Sequence, residues 1–416
     1  VRKMGKVVIT NIGKIISGNL KQPVLKADTI VVQEGKISQI GFSGEVDVEN
    51  AQHIVDANGM VVTPGFIDSH THQLIGDWNP IHNSLRWMES YLLAGVTTLI
   101  SQGEAVTPGY PGDPAGMKAM SIAAAKCYKN FRPGGALKVH GGAVSLVEGF
   151  TEDDFREMAE AGVWLVAEIG CFGIAQPDKV KPMVGWARKY GMKVTMHLAP
   201  PSVPTSTGLG AHEIMEVNPD IVAHVNGGST AAPLRDVEML VKETDLPLEF
   251  VFNGNPKVGV EMIRMMVERK VFHRLIIGSD SPTGNGLIPT AVLRTVVQIS
   301  SLNEVPAETV IAAATGTTAD VFGLKDVGKI EVGRAADLLV IDKPAGSVGA
   351  DALEAIEAGD IPGTAMIMVD GRIVAYRGRD TRQTARYVKV DGVEKRIMTP
   401  EDYLYGPYRF SGEVLS

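Results

Sequence analysis

VVTPGFIDSHTH, the stretch from Val61 to His72, decides the fold. An apolar, β-branched run ends in a short polar tip that carries two imidazoles. Side chains alternate across a strand, so residues i and i+2 share a side. His70 and His72 can therefore reach one metal ion at the C-terminal end of a strand. An H-x-H pair alone recurs by chance. Here it follows a buried-type strand, a Pro-Gly step and the acidic Asp68, and that context makes it an anchor for the rest of the chain.

Outward from this anchor, strand-like and helix-like segments alternate. Predicted strands run over Val61–His70, Thr97–Ser101, Leu137–Val144, Trp164–Ile169, Lys193–His197, Ile221–Val225, Pro247–Asn253 and Arg274–Gly278. Helical stretches such as Pro114–Phe131 and Pro177–Tyr190 separate them. This α/β alternation predicts a parallel (β/α)8 TIM-like barrel. An open doubly wound sheet is the alternative, but no Gly-rich dinucleotide fingerprint follows the early strands. Both chain ends have a different texture, with short strands around Glu34-Gly35, Asn58-Gly59 and Asp370-Gly371, read as hairpin turns. The expected organisation is a small β-sandwich from residues 1–62 and 326–380, a barrel over 63–325, and a C-terminal extension over 381–416. That extension, with Tyr387, Tyr403, Tyr405 and Tyr408, is expected to wrap the barrel or reach a neighbouring subunit.

Composition narrows the classes. The 416 residues are ample for a large core. A net charge of −8 argues against nucleic acid as a partner. No apolar run approaches the roughly 20 residues that span a bilayer, so no membrane role is expected. Val1 to Met4 lack the long apolar stretch of a secretory signal. Cys127 and Cys171 form no CxxC pattern or disulfide framework. These features lead to the expectation of a cytoplasmic protein.

In a barrel of this kind, reactive residues stand at the C-terminal ends of strands. Strand one ends in His70 and His72, strand four carries Glu168, and strand five ends in His197. Strand six carries His224 and strand eight ends in Asp280. Each taken singly has a bland reading as a hydrogen-bonded structural residue; their arrival together on one rim does not. The donors are nitrogen and oxygen without sulfur, which suits zinc, iron, manganese or cobalt. Six protein ligands exceed what one open catalytic zinc needs, so two divalent ions are expected, bridged by Glu168 and a hydroxide. Asp280 is then both a metal ligand and the general base and acid.

TPGFIDSHTH, the strand-five and strand-six histidines, GSDSP, GKIEVGRAADLLVID and VDGRIV together resemble the amidohydrolase superfamily of metal-dependent hydrolases. NIGKIISGNLKQPVLKADTIVV, KVHGGAV, GVWLVAEIG, HVNGG, GLIP and AGDIPG are similar to its enamidase family, over nearly all of residues 5 to 380. The resemblance implies that His70, His72 and Asp280 hold one metal, that His197 and His224 hold the other, and that Glu168 bridges where many relatives use a carboxylated lysine. It implies an iron–zinc pair, a homotetramer and hydrolysis of a small cyclic amide, 6-oxo-1,4,5,6-tetrahydronicotinate, to 2-formylglutarate and ammonia. Another lactam, imide, N-acyl or aminohydrolase substrate is the alternative. A metal-free scaffold is a further one, disfavoured by the intact ligand set.

Further residues carry weaker signals. His140, on predicted strand three, is a candidate for holding the substrate carbonyl or its oxyanion, against a core role of equal weight. Asn226 and Asn253 could recognise an amide or carboxylate, and Asn255, before Pro256, suits a turn. Lys257 reads as a solvated lysine at a helix start. Cys171 could line the site, although a buried structural thiol is the simpler reading. The Gly- and Pro-rich loop from Ser101 to Gly116 and the Pro-rich loop after His197 could cover the site. His53, His82, His212 and His273 lack strand-end placement.

Overall fold

A computed structural model describes residues 5–73, 84–103, 111–131, 137–198, 200–201, 206–282 and 286–396. Its central strands are β1 Phe66–Thr71, β2 Val96–Ser101, β3 Lys138–His140, β4 Ala143–Val144 and β5 Leu165–Ile169. They continue as β6 Lys193–His197, β7 Ile221–Ala223, β8 Leu248–Val251 and β9 Leu275–Gly278. One sheet has the order β3-β2-β1 and the other runs β4 through β9, with parallel neighbours throughout. Past the end of β9, the Asp280 N–H donates to the His70 carbonyl at 2.9 Å and the His72 N–H to the Ser281 carbonyl at 2.7 Å. The fold is of the TIM-barrel type, and helices follow the strands. Leu234–Glu243 shows why: Val237, Leu240 and Val241 fall on one buried face at helical spacing. Thr151 and Asp154 form a capping box that starts Glu152–Ala161.

Two predicted strands are each divided in the structure. Leu137–Val144 breaks at Gly141-Gly142, where Gly142 takes φ +89° and a Cβ would stand 2.6 Å from the Ala125 Cβ. Val61–His70 breaks at Gly65, where a Cβ would lie 2.1 Å from Thr97 Oγ1. Val61–Pro64 belongs to an end sheet, paired with Leu338–Asp342 and Lys14–Ile16. The fold-deciding stretch thus crosses from one sheet to another.

The chain ends form two six-stranded sheets. One holds Val7–Thr10, Thr29–Gln33, Lys36–Gly41, His53–Asp56, Lys389–Val390 and Val393–Glu394. The other holds Lys14–Ile16, Val24–Leu25, Val61–Pro64, Leu338–Asp342, Gly363–Val369 and Arg372–Ala375. Residues of both, including Ile9, Ile30, Val62, Val340 and Met366, share one apolar cluster. Glu34-Gly35 and Asp370-Gly371 turn between paired strands, as expected. Asn58-Gly59 does not close a hairpin: it carries the chain from one sheet to the other, with the Gly59 N–H bound to the Asn11 carbonyl. The described part of the C-terminal extension adds to the first end sheet, and Arg386 pairs with Asp342 at 2.5 Å. Tyr403, Tyr405 and Tyr408 lie outside the described residues. No helix among the described residues is long and apolar enough to cross a membrane.

A small cluster lies beneath the strand ends. It joins Ile67, Ile100, Leu165, Ala167, Ile221 and Ile276 to Phe322. Ile67, Leu165 and Ile221 stand three residues before His70, Glu168 and His224, and Ile276 stands four before Asp280. The polar groups therefore rest on an apolar layer that shields them from water on that side.

Candidate metal centre

His70, His72, Glu168, His197, His224 and Asp280 all converge, as their strand-end positions predict. The His70 and His72 rings are 5.1 Å apart. His70 Nε2 lies 3.4 Å from Glu168 Oε2 and 3.7 Å from Asp280 Oδ1. His72 Nε2 lies 3.5 Å from the same Asp280 oxygen. Glu168 Oε1 faces the other pair: it is 3.3 Å from His197 Nδ1 and in close contact with His224 Nε2. The two ring nitrogens are themselves 3.1 Å apart. His70, His72 and Glu168 form one group with metal-ligand spacing, and Glu168, His197 and His224 form a second. All six residues are buried.

Simple strand alternation does not place them all. It would set Glu168 with Val166 and His224 with Val222, both in the large cluster that packs against the helices. Instead Glu168 takes φ +32° and His224 φ +30°, which turn the two side chains into the site. Asp280 takes φ +59°. Such backbone is costly for residues other than glycine and gathers where function requires it. The pairing of β1 with β2 also shifts register between Asp68 and Thr71.

Electrostatics favour ionised carboxylates. Burial pushes Glu168 up, but His224, His70 and His197 overcome it and hold the carboxyl well below its usual range. Burial opposes Asp280 in the same way, and His70, His72 and His224 bring it below the ordinary value. His70 is pushed down by burial, yet Glu249, Glu168 and Asp280 raise it well above an ordinary imidazole. His224 is raised against burial by Glu168, while burial and His224 lower His197. The donors fit divalent cations. The test is His70 Nε2, a buried nitrogen without a hydrogen-bond partner among the described residues, aimed between two carboxylates.

The remaining sequence candidates have other surroundings. His140 makes an edge contact with Trp164 at 5.9 Å, and Trp164 in turn meets Phe322 of the apolar layer. Both ends of the Asn226 amide engage the Val251 backbone, at 2.9 and 3.0 Å. Asn253 donates to the Asp280 carbonyl at 2.8 Å. Both asparagines therefore support the strand ends. Asn255 caps the helix Pro256–Glu268, accepting from Lys257 and Val258. Lys257 is exposed at the start of that helix, and Cys127 is exposed as well. The Cys171 thiol lies near Glu168; burial, Glu168 and Asp280 keep it protonated. His53 pairs with Asp391 at the surface. His82, residues 104–110 of the loop from Ser101 to Gly116, and residues 199 and 202–205 after His197 lie outside the described residues.

Sequence reasoning passed over Glu249 and underused Asp68. Glu249 lies on β8, fully buried, with Oε2 2.7 Å from His70 Nδ1. A carboxylate inside the apolar strand Leu248–Val251 was the available signal. Asp68 accepts from the backbone N–H groups of Ser279 and His70, at 2.7 and 3.2 Å, and so splices β9 to β1. Burial pushes its carboxyl up to about 7.

The amidohydrolase family model matches residues 61–374. The chain is 45% identical over 387 residues to the enamidase of Eubacterium barkeri, covering 93% of this chain and 100% of that protein. A crystal structure of enamidase, described as a member of the amidohydrolase superfamily, superposes with a TM-score of 0.88 at 44% identity, over 92% of this chain and 100% of that one. D-hydantoinase has the same fold, with a TM-score of 0.64 at 15% identity over 89% of this chain and 95% of its own.

Proposed function

The chain belongs to the amidohydrolase family, and from that premise we propose that it opens a cyclic amide, with 6-oxo-1,4,5,6-tetrahydronicotinate as the substrate and 2-formylglutarate and ammonia as the products. One observation carries the reading: a single buried carboxylate, Glu168, belongs to both donor groups. The likeness to enamidase over its full length supplies the substrate. In this reading His70, His72 and Asp280 hold one divalent ion, His197 and His224 hold a second, and Glu168 is shared. Zinc and iron suit this donor set. Bound there, the ions would acidify a water and polarise the amide carbonyl.

The chain's own groups do the rest. Asp280, ionised and beside the imidazoles of His70 and His72, takes a proton from the attacking water. Water adds to the carbonyl carbon, the C–N bond breaks, and Asp280 returns the proton to the ring nitrogen. The enamine released becomes an imine, and a second water releases ammonia from it. The apolar layer under the site limits water to the open side. His140 is kept as a candidate for the substrate carbonyl, and Asn226 and Asn253 as supports of the pocket. The same reading closes the central strands into a (β/α)8 barrel over 63–325. Residues 1–62 and 326–380 then make a β-sandwich, 381–416 an extension, and the whole a cytoplasmic homotetramer.

The test offers the purified, metal-loaded enzyme 6-oxo-1,4,5,6-tetrahydronicotinate beside simple lactams and imides. Ring opening and ammonia are measured separately. Both are expected from the first compound. Ring opening without ammonia would mean a simpler cyclic amidase, and no ring opening with any of them would overturn the proposal.

A further inference from the structure

We propose that Glu249 is a positioning residue that fixes the geometry of both halves of the metal centre at once. The proposal rests on the two-metal reading above. Glu249 belongs to neither donor group, yet its carboxylate binds three groups at the ends of two other strands, β1 and β7. Oε2 lies 2.7 Å from His70 Nδ1 and accepts the His224 backbone N–H at 3.1 Å. Oε1 accepts the Ser69 hydroxyl at 2.5 Å. The Glu249 carbonyl also accepts the Val225 N–H at 2.8 Å. A buried carboxylate is tolerated only when donors surround it, and this one has three.

Its bond to Nδ1 has a chemical consequence. A ring that donates its Nδ1 proton to Glu249 presents the Nε2 lone pair to the site. Nε2 faces the gap between Glu168 Oε2 and Asp280 Oδ1, where a metal ion would accept that lone pair. Glu249 thereby commits His70 to one tautomer and one orientation. The second bond acts on the other half. His224 sits at φ +30°, and the Glu249 carboxylate pins its N–H in that sparsely populated conformation. One side chain thus ties the ring of one group to the strained backbone of the other.

The test uses zinc-loaded wild type, Glu249→Gln and, as a packing control, Glu249→Leu. In the wild type, nitrogen-15 NMR of the imidazoles, with His70 assigned by substitution, should show a proton on His70 Nδ1 that exchanges slowly. An unprotonated Nδ1 there overturns the proposal without any variant. Cobalt titration of the metal-free proteins reads the second half. Glu249→Gln is expected to weaken binding at both sites about 10–100-fold while the thermal midpoint stays near the wild type. Glu249→Leu should weaken both at least as much. Unchanged affinity in folded Glu249→Gln, or loss confined to one site, overturns the coupling and leaves the proposed reaction standing. A wild type that binds no metal overturns both.

Discussion

Asp280 carries the sharpest prediction at the scale of single residues. Its side chain faces His70 and His72, while its backbone N–H and carbonyl are held by His70 and Asn253. Asp280→Asn leaves those backbone bonds in place and removes the proton acceptor together with one charged donor to the first metal. Turnover should fall by about 10²–10⁴, the usual worth of a positioned acid–base group, with little change in thermal midpoint. Steady-state kinetics beside a melting curve checks this, and near-normal turnover would put the base elsewhere. The six strand-end residues were legible because donor chemistry and position are both written in the sequence. Glu249 was not. Its role depends on β8 lying within reach of Ser69, His70 and the His224 backbone, a proximity between residues about 180 apart in the chain for Ser69 and His70 that no local pattern states.

Between elements, the decisive contact is β9 against β1. Gly278 makes it: a Cβ there would stand 2.7 Å from the His70 Cβ and 3.0 Å from the His70 nitrogen. The missing side chain lets the two strands close up and delivers Asp280 over the histidine pair. Gly278→Ala must push β1 away, and overpacking of this kind costs about 1–3 kcal/mol. A lower urea midpoint together with weaker metal binding is expected. A loss of stability with unchanged metal affinity would separate the contact from the site. Element types were readable from periodicity, but breaks at Gly65 and Gly141-Gly142 were not. In both places the run of strand-forming residues continues past the point where a neighbouring side chain, Thr97 or Ala125, leaves no room for a Cβ. Strand alternation also failed at Glu168 and His224, because their positive φ reverses the side that a regular strand would give.

At the scale of the whole molecule, Lys138 ties the central strands to the end sheets. It lies on β3, is 2% exposed, and pairs with Asp337 at 2.6 Å and Asp370 at 2.9 Å. Asp337 is equally buried and directly precedes the strand Leu338–Asp342, whose partner is Val61–Pro64. Its carbonyl also accepts the Gly65 N–H at 2.9 Å, beside the very break where the chain leaves the end sheet for β1. The ion pair therefore sits where the two layers join. Burying both charges is expensive, so the pair together adds little, whereas Asp337 left without Lys138 is a large penalty; Lys138 itself keeps Asp370 as a second partner. Lys138→Met, which takes the cation away from buried Asp337, should destabilise the chain by about 3–5 kcal/mol in denaturant titrations. Replacing both partners, Lys138→Met with Asp337→Leu, should restore most of that loss. The double variant also separates two roles for the junction. If it recovers stability and keeps its metal affinity, the pair serves folding alone. If stability returns and metal affinity does not, the charges set how β1 leaves the end sheet, and the position of His70 and His72 depends on a contact at the opposite end of their strand.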